Sequence, residues 1–244
     1  MHELLAGRFA AWATAWLAGR TSTDAALDAL ADDRAHLVTG LPGADGTVPL
    51  GRALTALRGL GERRVRLVLP VPGDVRGLPA APGLAGLALE AGQAAVGARV
   101  ALVPESAGPE VVAWTAVDLA AVPPAPAPAE GSLRAVSGAL DLAVGDAART
   151  LAALDLARWH PEVPALLTGL AGARAPGLPP DSDPVALSVL ARAHRLAQVL
   201  DLAMADAPGG AVTRGQAAAR DDALRPLAEA VRAATEAAYN AVPR

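Results

Sequence analysis

Arg64-Val65-Arg66-Leu67-Val68-Leu69 is the stretch at which this sequence changes period. Charged and apolar side chains alternate there, then the run turns fully apolar. A period of two places successive side chains on opposite faces of an extended chain, so the stretch reads as a half-buried strand. The elements before it read as helices. Leu5, Phe9, Trp12 and Trp16 recur at helical spacing in a helix over 3–19, and Gly19 supplies its stop. Thr21-Ser22-Thr23-Asp24 offers capping side chains for a second helix over about 23–38, with Ala26, Leu27, Leu30 and Leu37 facing inward. Residues 40–49 read as a loop, and 50–59 as a short helix with Leu50, Leu54 and Leu57 on one side.

Downstream, Pro70-Val71-Pro72-Gly73-Asp74 ends the strand. Leu84 to Ala91 reads as a short helix. Residues 93–96, 98–103 and 111–117 read as strands, with Pro104 to Pro109 carrying hairpin chemistry between the last two. These strands predict a mainly antiparallel sheet of three or four members. Val122 to Gly131 (VPPAPAPAEG) has alternating Pro and no core residue, and reads as an extended linker.

Beyond it the sequence is helical: one helix over 132–158 with Ser132 as N-cap, a short one over 164–170, and a third from Pro184 to about 206. In that third helix Leu187, Leu190, Leu196, Val199, Leu200 and Met204 cover much of the circumference, which predicts the most buried helix of the chain. Thr213-x-x-Gln216 opens the last helix as a capping box. Pro226 is expected to break or kink it, and Leu227, Val231, Ala234 and Ala238 form a narrow apolar seam beyond. The expected fold class is therefore α+β and mostly helical, with a small sheet in the N-terminal half and an Ala-rich helical bundle in the C-terminal half. The expected organisation is an α+β subdomain over 1–121, a linker over 122–131 and a helical subdomain over 132–244.

Composition narrows the chemistry. Gly, Ala, Arg and Pro make up more than half of the 244 residues, while Lys, Ile and Cys are absent and Asn240 is the only Asn. A GC-rich bacterial genome explains that bias, so abundant Arg is not in itself a functional signal. Without Lys there is no Schiff-base or P-loop lysine. Without Cys there is no thiolate nucleophile, thiolate metal site or disulfide. A net charge of -4 with six aromatic side chains offers neither a basic face nor a stacking platform for nucleic acid. No apolar run reaches the ~18 residues of a membrane span. The uncharged stretch Phe9 to Gly19 reads as a folded amphipathic helix, since Glu3 precedes Arg8 where a signal peptide has a basic start. The chain is expected to be soluble and cytoplasmic, with no cofactor.

Acid–base or metal chemistry is left to four His and 25 Asp and Glu. Four placements stand out. On the expected second helix, Asp24, Asp28, Asp32 and His36 recur every four residues, so Asp28, Asp32 and His36 are metal candidates; the plainer alternative is an exposed acidic face. On the third helix of the C-terminal half, His194, Gln198 and Asp201 share a stripe, where they are catalytic or ligand-facing candidates or else satisfied boundary groups. Trp159-His160-Pro161-Glu162 places a His at a helix C-terminus, which the helix dipole favours. Asp74 and Arg76 lie in the Pro- and Gly-rich loop after the strand and are ligand-binding candidates or simply turn-fixing residues.

Familiar signatures break off. His2-Glu3-Leu4-Leu5-Ala6 lacks the second His of a zinc-protease helix, Gly59-Leu60-Gly61 lacks the third Gly of a dinucleotide loop, and Ser137-Gly138 lacks the flanking glycines of a nucleophile elbow. The functional expectation is a non-catalytic interaction or regulatory module, with a protein partner or self-association through the Leu227/Val231/Ala234 seam. The alternative is an enzyme or small-molecule binder with a pocket between the halves using His194 and Asp201.

Overall fold

The computed structural model describes residues 4–31, 33–123, 132–153, 177–205 and 214–241. These form seven α-helices and one six-stranded sheet, so the chain is α+β. They fall into two compact units. The first draws on Glu3–Glu130, Gly177–Asp183 and Tyr239–Arg244, the second on Gly131–Pro176 and Pro184–Ala238.

The first unit is organised by α1 (Leu5–Leu17), which is buried on nearly every side from Leu5 to Trp16. Five of its thirteen residues are Ala and one is Gly, so neighbouring elements approach it closely all round. The expectation that the helix beginning at Pro184 is the most buried is thereby corrected. Residues 132–158, 164–170, 171–183, Trp159-His160-Pro161-Glu162, the linker, His2, Asp32 and Thr213 lie wholly or partly outside the described residues.

α2 (Thr23–Ala31) starts as its cap predicts, with Ser22 Oγ accepting the Ala25 N–H at 3.1 Å. It ends seven residues early. Asp33 takes a left-handed φ of 57°, and Ala35–Thr39 becomes strand β1 instead of a last helical turn. The cause is tertiary. β1 finds a parallel partner 76 positions on, in the register Ala35↔Val111 to Thr39↔Thr115, and Val and Thr suit a pleated surface. The expected loop over 40–49 likewise contains β2 (Thr47–Pro49), antiparallel to β1.

After α3 (Leu50–Gly59), the opening stretch yields β3 (Arg66–Val68). α4 (Leu84–Ala91) follows, then β4 (Ala94–Val96), β5 (Val100–Ser106) and β6 (Val111–Asp118). The strand order is β2-β1-β6-β5-β4-β3, with six strands where three or four were expected. β1–β6 is parallel and the other four pairings are antiparallel. One face of the β3–β5 half carries Val68, Ala94, Val96, Ala101 and Val103 against Leu84 and Ala88 of α4. α1 packs against the same three strands, and its Phe9 ring lies 5.3 Å from that of Trp114.

Gly40 joins β1 to this core by a close approach. It has φ +78°, and a Cβ there would sit 2.8 Å from the backbone oxygen of Ala116. Both the left-handed backbone and the contact exclude a side chain. Gly40→Ala is expected to lower stability by about 1–3 kcal/mol, measurable as an earlier urea midpoint with an unchanged slope.

In the second unit, α5 (Leu133–Ala153) is capped by Ser132 Oγ at the Ala135 N–H, 3.2 Å away. It buries Leu140 and Ala147 and leaves Leu142 71% exposed. α6 (Pro184–Ala205) packs against α5 through a narrower stripe than expected: Ala186, Val189, Leu190, Ala193 and Leu200 are buried, whereas Leu187 is exposed. α7 (Arg214–Asn240) continues through Pro226 as one helix, so the expected break does not occur there. Pro226 and Asp222 are both exposed, so the Asp222 carbonyl that loses its helical donor faces solvent instead of a dry core. The seam expected to mediate self-association, Leu227, Val231, Ala234 and Ala238, is fully used within the chain: all four are buried. Among the described residues no helix is long and apolar enough to cross a membrane.

Candidate functional site

Buried polar side chains in the first unit cluster around α1 and the sheet, and the geometry shows what each one holds. Glu62 is 5% exposed, just after α3. Its carboxylate accepts three successive backbone N–H groups of the β4–β5 connection: Ala98 at 2.8 Å, Arg99 at 2.5 Å and Val100 at 3.2 Å. Consecutive amides pointing one way form a concave cationic nest, and a carboxylate fills it. Gly97 is required beside it, because a Cβ would lie 2.6 Å from Glu62 Cδ.

The two ends of α1 are closed by side chains from elsewhere in the chain. Gln93 Oε1 accepts the Ala6 N–H at 2.9 Å, since Leu4 at the N-cap has no oxygen to offer. At the other end Arg58 donates to the Trp16 carbonyl at 3.0 Å and places its guanidinium 3.7 Å from the Trp16 ring centroid. A cation there meets both the helix dipole and the ring quadrupole. Trp12 Nε1 donates to the Gly177 carbonyl at 2.9 Å, and Arg20 pairs with Asp181, so residues 177–183 are tied into this unit.

The outer edge of β3 is closed by two side chains. Thr14 Oγ1 donates to the Val65 carbonyl and accepts the Val65 N–H, at 3.0 and 2.9 Å. Asn240 repeats the exchange at Leu67, its Oδ1 accepting the N–H at 2.8 Å and its Nδ2 donating to the carbonyl at 2.9 Å. Each side chain imitates one residue of a neighbouring strand, which shields an edge that would otherwise template further pairing.

The sequence-predicted candidates are dispersed. His36 is on β1, buried, with Nδ1 accepting the Trp114 Nε1–H at 3.1 Å. That bond requires the neutral imidazole with its proton on Nε2. The four-residue stripe through Asp24 and Asp28 therefore stops short of His36, because the helix has become a strand. No group of three or more His, Cys, Asp or Glu among the described residues is arranged to hold a metal ion. Asp74 and Arg76 form a fork with each other, Nε to Oδ1 and Nη2 to Oδ2, both 2.8 Å. They brace a tight turn in which Val71 and Asp74 exchange N–H and carbonyl at 3.0 and 2.8 Å around Gly73.

On α6, His194 and Gln198 are half-buried and Asp201 is exposed, so the three share a stripe but not an environment. Gln198 Oε1 is covered and has no hydrogen-bond partner among the described residues. Burial pushes the His194 imidazole below its ordinary 6.5. The unfolded chain then takes up that proton at a higher pH than the folded chain. Stability is whole above about 6.5 and falls as the pH drops toward the folded value. His194→Gln is expected to flatten the acid limb of the melting-temperature profile below pH ~6.5, with little change above it. A wild-type profile and a variant profile that fall in parallel would count against this.

Sequence reasoning missed Glu62, Gln93, Thr14 and Asn240 because their partners lie 36 to 173 positions away. Asn240 alone carried a signal, as the only Asn in a sequence that otherwise avoids the residue.

Two family models cover nearly the whole chain: Rv1486c-like protein, N-terminal domain, over residues 6–130, and Rv1486c-like protein, C-terminal domain, over residues 134–236. The chain belongs to the Rv1486c-like family. Uncharacterized protein Rv1486c of Mycobacterium tuberculosis H37Rv is 35% identical over 279 residues, covering 95% of this chain and 94% of its own length. Uncharacterized protein MAV321 of Mycobacterium avium and uncharacterized protein ML1804 of Mycobacterium leprae are 31% and 30% identical, with the same coverage. None of these names states an activity. The mycobacterial relatives fit the GC-rich bacterial vocabulary of the sequence. No solved structure matches the chain.

Proposed function

We propose that this member of the Rv1486c-like family is a non-catalytic interaction or regulatory module that acts by binding a protein. The observation that carries the reading is the use made of the buried polar groups. Glu62, Gln93, Thr14 and Asn240 each hold backbone, and His36 and Trp114 hold each other. Such bonds build a rigid platform, and rigid scaffolds suit recognition. The reading includes an α+β part over 1–121, the 122–131 segment and an Ala-rich helical bundle over 132–244, a division supported by the separate family models. It also includes the absence of a nucleic-acid partner, supported by the acidic net charge.

The test is reconstitution. In-cell cross-linking of the tagged full chain would nominate a partner, and the two purified proteins would then be titrated by calorimetry. A saturable one-to-one complex is expected. If no nominated protein binds the purified chain, the reading fails.

A second reading is a small-molecule site on the α6 stripe, favoured by the covered, unpartnered Gln198 Oε1 beside the desolvated His194. Here His194 and Gln198 would contact the ligand, with Asp201 at the solvent end. Asp74 and Arg76 are weaker ligand candidates, since they already satisfy one another, and so is a cation at Asp28, Asp32 and His36. A ligand screen by thermal shift decides. Hits whose effect persists unchanged in both His194→Ala and Gln198→Ala would remove this reading.

A further inference from the structure

The sheet of the first unit is sealed on one face and half open on the other. Residues paired directly across strands share a face, so the register sorts the side chains. His36, Val38, Val112, Trp114, Leu102 and Leu67 fall on the face toward Phe9 of α1, and all six are buried. The opposite face is covered by α4 over Val96, Ala101 and Val103. Beyond β5 that cover stops. The row Val103, Thr115, Thr39, Thr47 crosses from β5 to β2; Val103 is buried and the three Thr are exposed. In the next row, Glu105, Ala113, Leu37 and Pro49, Leu37 is 38% exposed. Parallel strands normally have both faces covered, yet the open half runs over the parallel pair β1–β6.

Shape and charge select the occupant. Strands about 4.8 Å apart make β6, β1 and β2 a floor roughly 14 Å wide, and the five residues of β1 make it about 17 Å long. α4 lies on β5 and forms a step, about 10 Å high, along one side of that floor. A floor beside a step takes a helix of about eleven residues, which touches the sheet and the flank of α4 together. A second copy laid floor to floor would be held off by the two steps, and the floors would hide only about 500 Å2, half of what a specific interface needs. Strand addition at the outer edge is disfavoured, because β2 has three residues and ends in Pro49. Thr39 and Thr47 bond each other through their hydroxyls at 3.1 Å, so little is lost when that row leaves water. By register the one charged side chain on these two rows is Glu105, at the α4 side.

We propose that the open half of the sheet, over β6, β1 and β2, is the docking surface for one amphipathic helix of a partner protein. That helix turns an uncharged apolar stripe toward Leu37, Ala113 and Thr115 and a basic residue toward Glu105. The proposal rests on the reading of the chain as a protein-binding module and gives that reading a surface. A partner that binds elsewhere keeps the reading and removes this surface, so the two failures are distinguishable.

The experiment places the photo-crosslinker benzoylphenylalanine at position 37 of the full chain in the cell, and at position 75 as a control that is exposed but lies after β3. The peptide captured at position 37 is sequenced, synthesised and titrated against the purified full chain by fluorescence anisotropy. It is expected to have apolar residues at helical spacing on one side and to bind with a micromolar Kd. Thr115→Glu is expected to weaken that binding about tenfold or more, and Val75→Glu to leave it unchanged. Thr39→Glu takes the place of Thr115→Glu should the latter fail to fold. Capture at position 37 no stronger than at position 75 overturns the proposal. So does capture of a segment of this chain or of a second copy, and so does a captured peptide whose binding is indifferent to the charge placed on the floor.

Discussion

Replacing Trp114 by Ala is expected to cost about 3–5 kcal/mol, the range for truncating a large buried aromatic. Trp114 is 1% exposed on β6, in the middle of the sheet. Its ring packs against Phe9 of α1 at 5.3 Å and lies 6.0 Å from His36 of β1, while its N–H donates to His36 Nδ1. One side chain thus ties the buried helix to the parallel strand pair. Trp114→Phe keeps most of the volume but withdraws the donor from a buried imidazole, so it is expected to cost a smaller amount, about 1–3 kcal/mol. Chemical denaturation of the two variants checks the order. Equal losses would show that the hydrogen bond, and not the packing, dominates.

Glu62→Ala is expected to be as severe, at about 3–5 kcal/mol, for a different reason. The side chain contributes little apolar area. It holds three backbone N–H groups at the turn between β4 and β5. Removing it leaves those donors facing one another without an acceptor, and the loss accrues to all of them. Glu62→Gln is expected to recover only part of the loss, since its NH2 group opposes a donor. Gly97→Ala attacks the same point from the other side and should approach Glu62→Ala in effect. The melting midpoint is expected to fall by about 10 °C in Glu62→Ala. A fall no larger than that of an exposed substitution such as Glu105→Ala would show that the nest is not a point of strength.

The chemistry of the candidate residues was only partly legible. The caps at Ser22 and Ser132 are local, and their residue type ahead of an apolar period was enough to find them. The acidic stripe failed at His36 because a four-residue period has meaning only while the chain stays helical. The polar stripe on α6 kept its spacing, but the exposure of Asp201 depends on how that helix is packed.

The same division runs through the fold. By itself the sequence determined what is written within a few residues: α1, α3, α4, the β3 alternation, the β5–β6 hairpin and the start of α6 at Pro184. Periodicity and turn chemistry are short-range, and at these elements no distant pairing overrode them. Tertiary structure alone decided that residues 35–39 extend, because their pairing partner is β6. It decided that α1 and not α6 is the most enclosed helix, and that the seam at Leu227 is already covered. It also decided that Asn240 completes a strand edge 173 positions away. Backbone donors and acceptors must be satisfied somewhere, and a sequence does not state which distant group will satisfy them.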